Sequence, residues 1–284
     1  MMPIKGFQHL PLLVSSAVVR QMDLVEILDL CLSFQNIRTA TKSLHLSISG
    51  LKWIITSPGH FAINLIFNDP NQPKIIFKLA QTSTLEFFPG ILNGKIIRFA
   101  RSGNIFTVEW GSSVEEKLEL FEDLTHEIMR ILRVEKFYFW SNLFIDFVFF
   151  HTKKFETFIM DCPKITTDQM KFMFENLKVD TLKLIYFKVN GDQNPEQASQ
   201  NSVHIPIANF VRKWLRGELD NFNHLSINSE ISNGYLIERS VQEELRNSEQ
   251  LREGWDNGVI FRRGDGKRVR INSNEYSFNF DLLN

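Results

Sequence analysis

Gly90, Gly94 and Lys95 are the residues of this chain that come nearest to a phosphate-binding loop, in which glycine amides and a lysine would cradle a polyphosphate. The interval between the glycines is one residue short, and Ile96 stands where a hydroxyl residue would hold magnesium, so the stretch is rejected as such a loop. Gly264 and Gly266 run into strand-forming residues, so no helix N-terminus follows them to receive a pyrophosphate. The seven histidines are dispersed, and neither His126-Glu127 nor any other pair has the spacing of a zinc-binding helix. Cys162, with Asp161 or the distant His151, is the one candidate thiol nucleophile; nothing local depresses its pKa, and a buried structural thiol is the simpler reading. The sequence therefore nominates no catalytic residue, no metal and no cofactor.

Without a reaction to position, the elements must be read for binding. The chain has 284 residues, enough for about two domains. Its 32 Lys+Arg against 33 Asp+Glu leave no whole-chain field to draw in nucleic acid or an anionic membrane. Two cysteines, Cys31 and Cys162, and the absence of any Asn-x-Ser/Thr acceptor point to an intracellular protein. Lys5 followed by Leu10 to Val19 imitates a signal peptide, but Ser15 and Ser16 interrupt the run and no small-x-small cleavage site follows. The richest apolar window, Leu143 to Phe150, contains Asp146 and falls far short of the roughly 20 residues a spanning helix needs.

Residues 7–44 read as a compact helical block. Leu10, Leu13, Val14, Ala17 and Val18 recur at helical spacing, Asp23 with Glu26 forms a capping-box pattern, and Leu24, Ile27, Leu28 and Cys31 share one side of a second helix. Gln35 to Leu44 spaces Ile37, Thr41 and Leu44 for a third. So short a block buries little surface alone and needs the rest of the chain or a partner to cover its apolar faces. Residues 45–132 change period: Leu46 to Thr56, Phe61 to Phe67, Lys74 to Leu79, Ile96 to Arg101 and Ile105 to Trp110 read as strands. A helix follows with the stripe Val114, Leu118, Phe121, Leu124, Ile128 and Ile131, its charged face being Glu115, Glu119, Glu122 and Arg130.

From residue 133 to 230 a pattern, apolar-x-x-apolar-x-apolar, recurs as Val134, Phe137, Phe139; Phe155, Phe158, Met160; Val179, Leu182, Leu184; and Phe222, Leu225, Ile227. Its central positions lie 21, 24 and 43 residues apart, the last interval holding two units or one with an insertion. Thr166 with Gln169 opens an intervening helix bearing Met170, Met173, Phe174 and Leu177; Pro206 opens another bearing Phe210, Val211, Trp214 and Leu215 before Gly217. Degenerate leucine-rich-repeat-like units with a short parallel sheet fit this, and so does a non-repetitive α/β layer. Asn190 to Ser202 reads as a surface loop. Residues 231–284 read as a loosely packed helix within Ser240 to Gly254, a hairpin about Gly264-Asp265-Gly266 and a terminal strand. Arg262, Arg263, Lys267, Arg268 and Arg270 gather there, and a charged, aggregation-resistant edge outweighs a nucleic-acid site. The fold class expected is α+β or α/β.

Phe7, Leu10-Pro11, Leu13, Val14, Val18 and Val19, followed by Met22, Leu24, Glu26, Ile27, Leu30 and Ser33, resemble an F-box. Thr166 to Leu177, the run from Phe210 to Gly217, Leu225-Ser226-Ile227 and Asp265-Gly266-Lys267-Arg268 resemble the type 2 F-box associated domain of the large nematode F-box family. The first tryptophan, Trp53, lies beyond the F-box-like segment, where many F-boxes carry one late in the third helix. The resemblance implies an F-box at 7–44 and an associated domain at 45–284. It implies a substrate receptor that docks to a Skp-family adaptor, and through it to a cullin, by Leu10, Pro11, Leu13, Val14, Val18, Leu24 and Ile27. The C-terminal domain would present an unknown protein substrate. No side chain of this chain reacts in such a role; tethering raises the effective concentration of substrate beside a separate enzyme. A freestanding repeat-type scaffold is the alternative.

Overall fold

The computed structural model describes residues 11–34, 37–42, 44–56, 59–69, 71–81, 85–110, 113–143, 151–162, 164–185, 188–189, 204–220, 222–228, 252–253, 259–273 and 277–283. The protein is α+β and divides into two compact units, 1–137 and 138–284. The division falls far from residue 44, so the helical block and the β-rich segment after it belong to one unit.

The first unit begins with helices α1 (Leu12–Val19), α2 (Leu24–Ser33) and α3 (Ile37–Lys42). α2 starts where its sequence says it should: Asp23 accepts from the Glu26 amide at 2.7 Å, while the Glu26 carboxylate accepts from the Asp23 amide at 3.1 Å. Strands β1 (Ser47–Thr56), β2 (His60–Ile66), β3 (Ile75–Ala80), β4 (Phe88–Leu92), β5 (Lys95–Ser102) and β6 (Ile105–Glu109) form a sheet of order β1-β2-β3-β6-β5-β4. All pairings are antiparallel except β3 with β6, which run parallel around the β4–β5 hairpin. That hairpin turns on Asn93 and Gly94, both at positive φ (48° and 81°), the backbone that an Asn-Gly pair favours. Strand β4 and this turn are absent from the sequence-based expectation.

Helix α4 (Val114–Ile131) lies on the sheet. Ser113 caps it by accepting from the Glu116 amide at 3.1 Å. Phe121, Leu124 and Ile128 are buried, Phe121 meets Phe61 edge-on at 5.2 Å, and the Trp53 indole donates to the Thr125 hydroxyl at 3.1 Å. The helical block seats on β4 and on the α4 surface around Glu127. Gly90 of β4 permits this approach, since a Cβ there would stand 2.9 Å from the Leu32 carbonyl and 2.8 Å from the Phe99 ring.

Within the second unit, residues 138–141 of β7 (Arg133–Ser141), β8 (Lys154–Met160), β10 (Lys178–Leu184) and β12 (Phe222–Asn228) run parallel in that order. A short parallel pair, β9 (Lys164–Ile165) and β11 (Lys188–Val189), stands apart from them. Beyond β12 the sheet turns antiparallel through β16 (Ser277–Leu283), β15 (Arg268–Ser273), β14 (Val259–Arg262) and β13 (Arg252–Glu253). Helices α5 (Thr167–Asn176) and α6 (His204–Leu215) supply the crossovers. α5 carries its capping box, with Thr166 accepting from the Gln169 amide at 3.1 Å and the Gln169 side chain from the Thr166 amide at 2.9 Å. Gly217, at φ +74°, closes α6, and the Glu218 amide reaches back to the Lys213 carbonyl.

The apolar triads align across the parallel strands: Phe155 with Val179 and Phe222, Phe158 with Leu182 and Leu225, Met160 with Leu184 and Ile227. All are buried. Direct pairing of β10 with β12 makes the 43-residue interval one step with an insertion. The first triad is framed differently from expectation, because Phe139 pairs with Phe158 and Ser141 with Met160, placing Phe137 outside the position assigned to it. A strand repeats every two residues, so a frame moved by two keeps the same inward face and the pattern cannot tell the two apart. Phe139 stacks on Phe158 at 4.6 Å, and Phe174, Phe210, Phe222, Phe280 and Trp214 form a second aromatic cluster under α5 and α6. The stretch expected to hold a helix within 240–254 ends in strand β13; the rest of it, and the 190–202 loop, lie outside the described residues.

Candidate functional site

The fold scatters most of the residues that suggested chemistry, but on α4 it brings His126 together with Glu122, their ligand atoms lying within 4.8 Å of one another. Gly90 and Lys95 sit on β4 and β5, and Lys95 donates to Glu119 at 2.5 Å and Asp123 at 2.9 Å, which hold its ammonium pKa above the ordinary value. Gly264 and Gly266 make the turn between β14 and β15. Cys162 is buried. Cys31 is fully buried too, and burial pushes its thiol up to about 12, so it is protonated at neutral pH. His126 is exposed, whereas its neighbour Glu127 is 2% exposed and pairs with buried Arg38 at 2.7 Å.

One candidate surface is on the helical block. α1 buries Ser15 and Val19 and leaves Pro11, Val14, Ala17 and Val18 exposed along one face, Val14 at 44% and Val18 at 37%. Three of the sequence-nominated adaptor residues, Pro11, Val14 and Val18, thus share a solvent-facing stripe. Leu24 is half-buried. Ile27 is only 3% exposed and belongs to the core of the block, where it supports α2 and offers no surface. Leu10 and the side chain of Leu13 lie outside the described residues.

Sequence reasoning missed what fastens this block. Arg38 on α3 donates from Nε to the Cys31 carbonyl at 3.1 Å and from a terminal nitrogen to the Ile91 carbonyl of β4, besides pairing with Glu127 of α4. Asp29 of α2 meets Arg101 of β5 at 3.1 Å. An arginine among helix residues reads as a solvated charge in sequence, and only the fold reveals that it is 5% exposed.

In the second unit, two stretches that carried the family resemblance come together. Arg263, 5% exposed, donates from Nε to Asp265 at 2.9 Å and from one terminal nitrogen to the Trp214 carbonyl at 2.8 Å. Its other terminal nitrogen reaches Asp265 at 2.6 Å and Asp220 at 2.9 Å, and the guanidinium lies 4.9 Å from the centre of the Trp214 ring. Lys267 completes the network on Asp220 at 2.6 Å. The Lys267 ammonium, then Arg263, hold the Asp220 carboxyl below its ordinary range; the Arg263 guanidinium does the same to Asp265. The planar fork of Arg263 thereby fixes the end of α6 to the β14–β15 turn.

The opposite sides of these strands form a wall. One row across it is Tyr138, Thr157, Thr181, His224, Asp281 and Arg270; the next is Trp140, Ile159, Lys183, Ser226, Asn279 and Asn272. His224 Nδ1 bonds Asp281, and the Ser226 hydroxyl donates to Asn279 at 2.8 Å. Which residues would line such a wall depends on register, which the sequence alone leaves open. No described helix is long and apolar enough to cross a membrane. Comparison of the chain with protein-family models, curated proteins and solved structures finds no match.

Proposed function

We propose that the chain is a non-catalytic substrate receptor of a Skp–cullin–F-box ubiquitin ligase, docking to a Skp-family adaptor by α1 and presenting a protein substrate from the C-terminal unit. The observation that carries this reading is the exposed stripe Pro11, Val14, Ala17 and Val18 on a three-helix block that buries Val19, Ile27, Leu28, Leu30, Leu32 and Ile37. A helix that keeps valines in water on one face suits a protein partner. The in-register triads of β8, β10 and β12 support a repeat-like C-terminal unit, whose outward wall would meet the substrate.

The test is co-elution of the purified chain with a Skp-family adaptor at micromolar concentration. The double variant Val14→Asp/Val18→Asp should abolish co-elution while lowering the thermal midpoint little, because both residues stand on the exposed face of α1. An adaptor that ignores the native chain overturns the proposal.

A second reading, a freestanding scaffold without a ubiquitin role, draws on the anchoring of the helical block to its own unit through Arg38 and Glu127. That anchoring also makes deletion of residues 1–44 a poor discriminator, since it would leave the buried Glu127 without Arg38, the nearer of its two arginines. The Val14→Asp/Val18→Asp variant separates the readings: a receptor keeps its substrate but no longer directs its ubiquitination, and a scaffold keeps its full cellular effect.

A further inference from the structure

The five basic residues of 262–270 divide into two sets. Arg263 and Lys267 are neutralised by Asp220 and Asp265. Arg262, Arg268 and Arg270 alternate with the buried Phe261, Val269 and Ile271, so they stand on the outward face, exposed. Among the described residues none of the three has an ion-pair partner; Asp281, opposite Arg270 in register, is taken by His224.

Two features resist explanation by the sheet's own stability. Arg262 and Arg268 are directly paired across β14 and β15, and like charges in that position destabilise a sheet. Protection of a sheet edge does not account for Arg268 and Arg270 either, because β15 lies between β14 and β16 and is no edge. Exposed Lys183, further along the same wall on β10, adds a cation, and half-buried Asp281 is the one carboxylate in the two rows.

We infer that the outward face of β14, β15 and β16 binds an acidic segment of a partner protein, whose carboxylates complete arginines that form no ion pair among the described residues. Guanidinium forks match carboxylates in paired hydrogen bonds, and the mutual repulsion of Arg262 and Arg268 is relieved when an anion bridges them. The wall extends five strand spacings from β15 to β7, roughly 24 Å at ~4.8 Å each, the reach of an extended segment of about seven residues. This rests on the receptor reading, in which the wall meets the substrate.

The test uses the full chain and a fluorescein-labelled octapeptide of alternating glutamate and serine, followed by anisotropy. The native chain should bind, more weakly as salt rises; Arg262→Gln/Arg270→Gln should weaken binding at least tenfold, and Lys171→Glu, on the exposed side of α5, should leave it unchanged. Arg268→Gln should weaken binding while raising the thermal midpoint, an opposition that a purely structural arginine would not give. No binding at several hundred micromolar, or equal loss in Lys171→Glu, overturns the inference. Tighter binding of a single-stranded oligothymidylate of equal charge also overturns it, in favour of a nucleic-acid surface. Adaptor co-elution in the Arg262→Gln/Arg270→Gln variant reads the receptor proposal separately, since α1 is untouched.

Discussion

Gly90 illustrates how a residue type can be noticed for one reason and needed for another. In sequence it belongs to a failed phosphate loop; in the fold it is a position of β4 where the Leu32 carbonyl of α2 and the Phe99 ring both come within contact of a would-be Cβ. Gly90→Ala forces contacts of 2.8–2.9 Å on Phe99 and a backbone carbonyl, and the carbonyl cannot swing aside as a side-chain tip would. Such overpacking costs about 1–3 kcal/mol, so the variant should unfold at a lower urea midpoint, whereas an unhindered site would leave it unmoved. Cys31 is the companion case at this scale. With its thiol pushed up to about 12 by burial, it should consume no iodoacetamide in the native protein at neutral pH and react only after denaturation, as peptide mapping of the alkylated protein would reveal. Its burial was readable from helical spacing with Ile27 and Leu28; its Thr41 neighbour was not, because that contact depends on how α3 folds back.

At the scale of elements, what was legible is what is local. The capping boxes at Asp23–Glu26 and Thr166–Gln169 need only three-residue spacing and are present as read; the α4 stripe and the strands β1 to β3 follow from periodicity alone. The parallel pairing of β3 with β6 and the frame of β7 depend on contacts between distant segments, whereas the β4–β5 hairpin is local and its Asn93-Gly94 turn carries its own signal. The exposed stripe of α1 is partly legible for the same reason: helical spacing groups Val14 with Val18 but cannot say which side of α2 the rest of the unit will cover, and in the fold that side includes Ile27. The fastening of the helical block is the least legible feature and the most consequential one. Arg38→Met leaves Glu127 buried without its principal cation, and breaking a buried pair in this way costs about 3–5 kcal/mol. The variant should therefore be much less stable than Glu26→Ala, which removes half of a solvent-exposed capping box and costs about 1 kcal/mol. Equal denaturation midpoints for the two would mean that the Arg38–Glu127 pair does not hold the block in place.

Across the whole molecule the two units differ in how charge supports them. In the second unit three carboxylates are held below their ordinary range: Glu175 by Lys213, Asp220 by Lys267 and Arg263, and Asp265 by Arg263. A carboxylate with a depressed folded pKa binds protons more readily in the unfolded chain. Its stabilisation is therefore complete above the unfolded value and is lost as pH falls from there through the folded value. For Asp220 and Asp265 that loss begins at their ordinary value of 3.8 and continues below it, with the Asp265 contribution surviving to the lower pH because its carboxyl is held down the further of the two. In the first unit the charge pair is internal, Arg38 with Glu127, both almost fully buried. The Arg263 network should accordingly give the second unit an acid dependence of its own. Trp214, under the Arg263 guanidinium, reports the second unit, and Trp53, bonded to Thr125, reports the first. In single-tryptophan variants retaining one or the other, the urea midpoint seen by Trp214 should fall between pH ~5 and ~2.5, and the Trp53 curve separates that loss from any in the first unit. Asp220→Asn/Asp265→Asn should lower the Trp214 midpoint at neutral pH and flatten its acid dependence. An undiminished slope in the double variant would show that the Arg263 network does not set the acid limit of the second unit.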